Sequence, residues 1–170
     1  KGDVSKIGEA NVYITGANTW QTFSQWPPVN EEAKTIYLED DGKLNWSKPT
    51  ATNSFSEYIS DPSRPVPYEE FVHYNRTRTY MTDDQRFAAR RPDVLVFKTD
   101  TLQENVTLTG PVIADIMASI STTDADFVVK LIDVYPDNAG YNDINIYAET
   151  DPIVPYPMGG YQMLVRAEIM

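Results

Sequence analysis

Apolar and polar side chains alternate along much of this chain with a period of two, the spacing of a strand that buries one face. Val112, Ala114, Ile116, Ala118 and Ile120 fall on one side of an extended backbone. Ile113, Asp115, Met117 and Ser119 fall on the other. Val106-Thr107-Leu108-Thr109 alternates in the same way until Gly110-Pro111 breaks it. After the turn cluster Ser121-Thr122-Thr123-Asp124, an apolar β-branched run covers Phe127 to Tyr135 and ends at Pro136-Asp137-Asn138. Three such segments in succession, joined by short turns, predict an antiparallel meander or part of a Greek key. Shorter strands are predicted at Val12–Thr15, at Thr35–Leu38 before the turn Glu39–Gly42, and at Val94–Phe97. The last run, Tyr161 to Met170, alternates again. The chain stops inside it, so further strands of the fold are expected beyond Met170.

Between the strands the chain is punctuated rather than helical. Twelve prolines stand against eight glycines, a balance that favours short strands and turns. Asp61 to Pro67 holds three prolines and predicts an extended loop wrapped over the fold. Asn138 to Pro157 is loop-like as well, with room for a short hairpin over Asn142–Tyr147. Asp83 to Arg91 predicts one helical turn, capped by Asp83 and stopped by Pro92. At 170 residues the pattern describes a single all-β sandwich domain, residues 1–170.

Charge narrows the choice of partner. The net charge is −11 at neutral pH. Nucleic acid and anionic membrane surfaces both demand a basic face, so neither is an expected partner. The plainer meaning of the acidity is solubility; the sharper one is attraction of amine-bearing ligands. The absence of cysteine excludes disulfides and thiolate metal sites. No apolar run reaches the ~20 residues of a membrane helix.

The chemistry on offer is thin. No Gly-X-Ser-X-Gly elbow is present, and a Ser-His-Asp triad would have to use His73, the one histidine, set in the aromatic patch Phe71–Tyr74. A packing or surface role suits it better. Carboxylates are too plentiful for any pair to single out glycosidase chemistry. A calcium ion near Asp133 to Asp143 is chemically conceivable, although the spacing is not that of an EF-hand; solvated turn acids are the plainer reading. No cofactor is expected. Trp20, Trp26 and Trp46 lie in the first third of the chain. They could stack on sugars, but Trp20 and Trp26 more simply cover one end of the core. Arg76, Arg78, Arg86, Arg90 and Arg91 crowd near Asp83, Asp84 and Asp93, predicting an ion-pair network that pins the loop, with docking to a partner as the alternative.

Several segments together resemble one family. Tyr80 to Leu95, with its core Asp83-Asp84-Gln85-Arg86 and Arg91-Pro92-Asp93, is similar to a signature stretch of the serine hydrolases that include X-Pro dipeptidyl-peptidases, cocaine esterase and α-amino acid ester hydrolases. Val106–Val112, Thr123–Pro136 and Gly159–Arg166 look like the strands that follow. Gly16–Trp20, Trp26-Pro27-Pro28, Tyr58–Pro62 and Pro65–Pro67 resemble the entry to the same domain. The resemblance implies a galactose-binding-like jelly roll that packs against an upstream α/β-hydrolase domain and shapes the active-site entrance. It implies that nucleophile, acid and base all lie outside this chain, in an enzyme acting on esters or amides. A secreted or periplasmic bacterial location would follow from it. Tyr80, Asp84 and Arg86 are the residues expected to form an organising or interface cluster. An open sheet edge would also invite pairing with a second copy. The competing class is a stand-alone carbohydrate-binding or protein-interaction module on the same fold.

Overall fold

The computed structural model describes Val4 and residues 7–75, 79–142 and 156–169. Among these the only α-helix is the four-residue turn α1 (Arg86–Ala89), and every other long-range element is a strand. The first is a hairpin, β1 (Ala10–Ile14) antiparallel to β2 (Thr19–Phe23), with Tyr13 opposite Trp20 and Val12 opposite Gln21. Its connection needs a left-handed residue, and Asn18, which tolerates that conformation better than most side chains, supplies φ 51. The Tyr13 hydroxyl donates to Asn18 Oδ1 at 3.2 Å and fixes the turn.

A second hairpin pairs β3 (Tyr37–Glu39) with β4 (Lys43–Asn45) around a 3-10 turn, Asp40–Gly42. Gly42 sits at φ +71, and a Cβ there would come within 2.7 Å of the Val96 carbonyl oxygen. Glycine is thus required twice, by conformation and by the close approach of another backbone. That second backbone is the segment predicted as a strand at Val94–Phe97. It forms no ladder of its own; one parallel bridge at Lys98 ties it to β4, with Leu44 N–H donating to Lys98 O at 2.7 Å and Lys98 N–H to Gly42 O at 2.8 Å.

The longest pairing is β5 (Val128–Val134) with β8 (Gln162–Ile169), antiparallel and bulged at Val165, which has no partner between the pairs Leu131–Arg166 and Ile132–Leu164. A short pair, β6 (Tyr141–Asn142) with β7 (Tyr156–Pro157), lies across the connection. The predicted hairpin at Asn142–Tyr147 lies outside the described residues beyond Asn142.

Two expectations change here. The meander of 106–109, 112–120 and 127–135 does not form: the first two segments run extended but belong to no strand ladder, and β5 pairs with β8. Alternation reports which side of an extended backbone needs cover, whereas a ladder needs a hydrogen-bonded neighbour, and among the described residues these segments pair with none. Ile113 and Met117 are left 82% and 101% exposed. The second change concerns the tryptophans. Trp20 does not cover the core; it is 72% exposed. The half-buried face of the hairpin is the one that carries Val12, Ile14 and Phe23, and Trp20 sits with Tyr13 on the opposite face.

Burial is concentrated in one place. Ala88 and Tyr161 are the buried apolar residues among those described, beside the polar Glu69, Asp83, Asp84, Gln85 and Gln162.

Candidate functional site

The buried residues form a polar node where the 82–86 turn meets the start of β8. Asp84 is its centre. Its Oδ1 accepts the Arg86 backbone N–H at 3.1 Å and the Gln162 backbone N–H at 3.3 Å. Its Oδ2 accepts Arg86 Nε at 2.5 Å and also pairs with a second guanidinium nitrogen, so one oxygen is held by two arms of the guanidinium. The Tyr156 hydroxyl donates to the same oxygen at 3.4 Å. Arg86 reaches on to the Gly159 carbonyl at 3.3 Å. The helix cap predicted at Asp83 is corrected: Gln85 is the N-cap, without a side-chain cap bond, and the carboxylate that reaches the Arg86 N–H is that of Asp84, one residue before the cap.

Gln85, 1% exposed, bonds to Gln162, Asp83 and Lys130. Its backbone N–H donates to Gln162 O at 3.1 Å. Its side-chain nitrogen donates to Asp83 O at 2.8 Å, and its side-chain oxygen accepts Lys130 Nζ from β5 at 2.6 Å. Lys130 also lies 5.5 Å from the Phe87 ring centre. The Tyr161 hydroxyl donates to the Thr82 carbonyl. Tyr161 packs edge-on against Tyr156, ring centres 5.7 Å apart.

The electrostatics follow from this packing. The hydrogen bond to Asp84 holds the Arg86 guanidinium charged still more firmly than usual. Burial pushes the Tyr161 and Tyr156 hydroxyls up, with the Asp84 charge adding to it, so both remain protonated donors. Burial lowers Lys130. Burial raises Asp83, helped by Glu69 and Glu70 and opposed by His73. Its Oδ1 is fully buried and has no hydrogen-bond partner.

Of the three residues singled out from sequence, the structure brings Asp84 and Arg86 together and sets Tyr80 against Tyr68 instead, ring centres 4.9 Å apart. The predicted arginine network is present in part. Arg91 makes a bidentate pair with Asp93, at 2.8 and 2.6 Å, and donates to the Arg64 carbonyl at 2.8 Å, which ties down the 61–67 loop. Arg90 is exposed and joins Arg86 and Lys98 on the wall of a 410 Å³ cleft. Arg76 and Arg78 lie outside the described residues. His73 Nε2 stands 3.3 Å from Glu69 Oε2, an i,i+4 contact that accounts for it as a packing histidine. Asp143 lies outside the described residues, and among those described no three acidic or histidine side chains converge as metal ligands.

Gln85, Lys130, Tyr161 and Gln162 were not legible as site residues. Their bonds span 45 to 79 positions of sequence, and nothing local marks the partners. Chemically the node is a lock. Both oxygens of Asp84 are committed to donors, and the donors are held in place by it. Such a site fixes a turn onto a strand.

The architecture so far defines a β domain pinned by a buried ion pair. The chain matches, over residues 5–166, the family described as the X-Pro dipeptidyl-peptidase C-terminal non-catalytic domain, and it belongs to that family. It is 30% identical over 139 residues to the cocaine esterase of Rhodococcus sp. (strain MB1 Bresler), covering 77% of this chain and 24% of that protein. A solved aminopeptidase from a marine sediment archaeon, Thaumarchaeota archaeon, superposes with a TM-score of 0.81 at 38% identity, over 97% of this chain and 26% of that one. The chain thus spans about a quarter of the length of either relative. The expected fold class stands: the described residues are strands with almost no helix, as befits a β-sandwich family.

Proposed function

We propose that this chain is the non-catalytic domain of a serine hydrolase acting on esters or amides, and that it packs against the catalytic body and shapes the approach to the active site. The observation that carries the reading is the surface. Apolar side chains such as Ile113, Met117 and Trp20 stand out in solvent. Membership of a non-catalytic domain family supplies the kind of partner that would cover them. The lock at Asp84–Arg86 supplies the rigidity that such a wall needs.

The test uses an activated ester, p-nitrophenyl acetate, and a serine-directed phosphonate probe. The polypeptide that carries this segment should hydrolyse the ester and take the label outside residues 1–170. The segment alone should do neither. Label on a serine of the segment, with hydrolysis abolished by it, would overturn the proposal.

A further inference from the structure

Residues 10–30 hold no charged side chain, 21 consecutive positions in a chain that is 23% charged overall. The same stretch carries Tyr13, Trp20, Phe23 and Trp26. Loss of charge together with gain of aromatics is the compositional mark of the centre of a protein–protein interface. The structure then sorts these residues. On the β1–β2 hairpin the pairs Tyr13–Trp20 and Asn11–Thr22 share the face away from Val12 and Ile14. All four are exposed, Trp20 more than Tyr13. They are nevertheless held in place. Trp20 meets Tyr13 edge-on, ring centres 5.4 Å apart at 61°. Thr22 donates to Asn11 Oδ1 at 2.7 Å, and Tyr13 to Asn18 Oδ1 at 3.2 Å. The hairpin pairs with no other strand among the described residues, and the exposure of these four side chains leaves the face open.

We infer that this face is the anchor by which the domain docks onto the catalytic body of its own polypeptide. The inference rests on the function proposed above and names its contact surface. Three features select a protein partner. Rigid aromatics cost little entropy to bury and dominate binding energy where they are fixed in advance. Asn11, Asn18 and Thr22 provide a polar border around them. A sugar would need an open, flat ring platform, whereas rings inclined at 61° make a notch suited to an inserted side chain. Relatives about four times as long place the partner on the same chain: three quarters of their length lies outside the part matched here.

The test is hydroxyl-radical footprinting of the intact polypeptide that carries this segment, beside the isolated segment. Trp20 and Tyr13 should be oxidised on the order of tenfold more slowly in the intact polypeptide. Trp20→Ala should restore fast oxidation of Tyr13 there, Trp20→Phe should restore it only partly, and Asp100→Ala, at an exposed site outside the hairpin, should leave it slow. Equal oxidation of Trp20 in both forms, with other residues of the segment protected, would overturn the anchor while leaving domain docking intact. No protection anywhere in the segment would overturn the functional reading itself. Protection of Trp20 that rises with concentration in the isolated segment would assign the face to a second copy and refute the inference. So would a saturable fluorescence change with methyl glycosides that Trp20→Ala abolishes.

Discussion

Replacing Asp84 with alanine should loosen the junction between the 82–86 turn and β8 more than any other single side-chain change. The carboxylate serves four donors: the Arg86 guanidinium, the Arg86 and Gln162 backbone N–H groups, and the Tyr156 hydroxyl. Removing one partner of a buried ion pair costs about 3–5 kcal/mol, largely because the other charge is stranded. Here the Arg86 side chain is 28% exposed, so water recovers part of the loss, and the lower end of that range applies. The orphaned Gln162 N–H, on a residue 9% exposed, adds to the cost. A net loss of about 3 kcal/mol corresponds to roughly 150-fold faster amide exchange through local opening. The assay is hydrogen exchange at neutral pH on peptides covering 82–90 and 158–166. Asp84→Asn keeps one acceptor oxygen and should fall between. Asp100→Ala, an exposed aspartate, is the control. An Asp84→Ala effect under about fivefold, equal to roughly 1 kcal/mol, would refute the claim that this carboxylate locks the domain.

Other substitutions probe separate physical arguments. Tyr161→Phe removes the donor to the Thr82 carbonyl; Thr82 is exposed, so water can replace it and the cost should be about 1 kcal/mol in a urea titration. Gly42→Ala forces a side chain into φ +71 with its Cβ 2.7 Å from Val96 O and should cost about 2 kcal/mol or more, whereas Gly140→Ala, with open space around it, should be neutral or slightly stabilising. Asp83 has its pKa raised by burial and by Glu69 and Glu70. The folded form therefore holds this proton more tightly than the unfolded one, and the stability it lends is fully present below the ordinary value of 3.8 and lost as pH rises through the raised value. Asp83→Asn should then be more stable than the parent sequence at pH 7, with the gap closing as pH falls toward 3.8; a gap that widens in acid would show the opposite sign.

Pattern and structure agree best where a segment carries its own instructions. The β1 strand, the Glu39–Gly42 turn, the run that becomes β5 and the alternating run that becomes β8 were all legible, because alternation, Gly and Pro act locally. The Asp84–Arg86 pair was legible for the same reason, being two residues apart. The segments 106–109 and 112–120 have the alternation of strands without a ladder, since pairing belongs to a neighbour that a period of two does not specify. Trp20 was misplaced because residues directly opposite across a hairpin share a face, and which face turns outward is decided by what lies beneath it. Gln85, Lys130 and Gln162 meet only through long-range folding, and no local spacing announces them.

On the proposed function, a small, rigid node carries a scaffold whose apolar surfaces are completed by another body. Amide exchange on the segment alone and within the polypeptide that carries it tests this directly. Residues 83–89 and the β5–β8 ladder should be protected in both, whereas residues 10–30 and 106–120 should exchange quickly alone and at least about tenfold more slowly in the whole. Identical exchange across 10–30 and 106–120 in the two forms would contradict it.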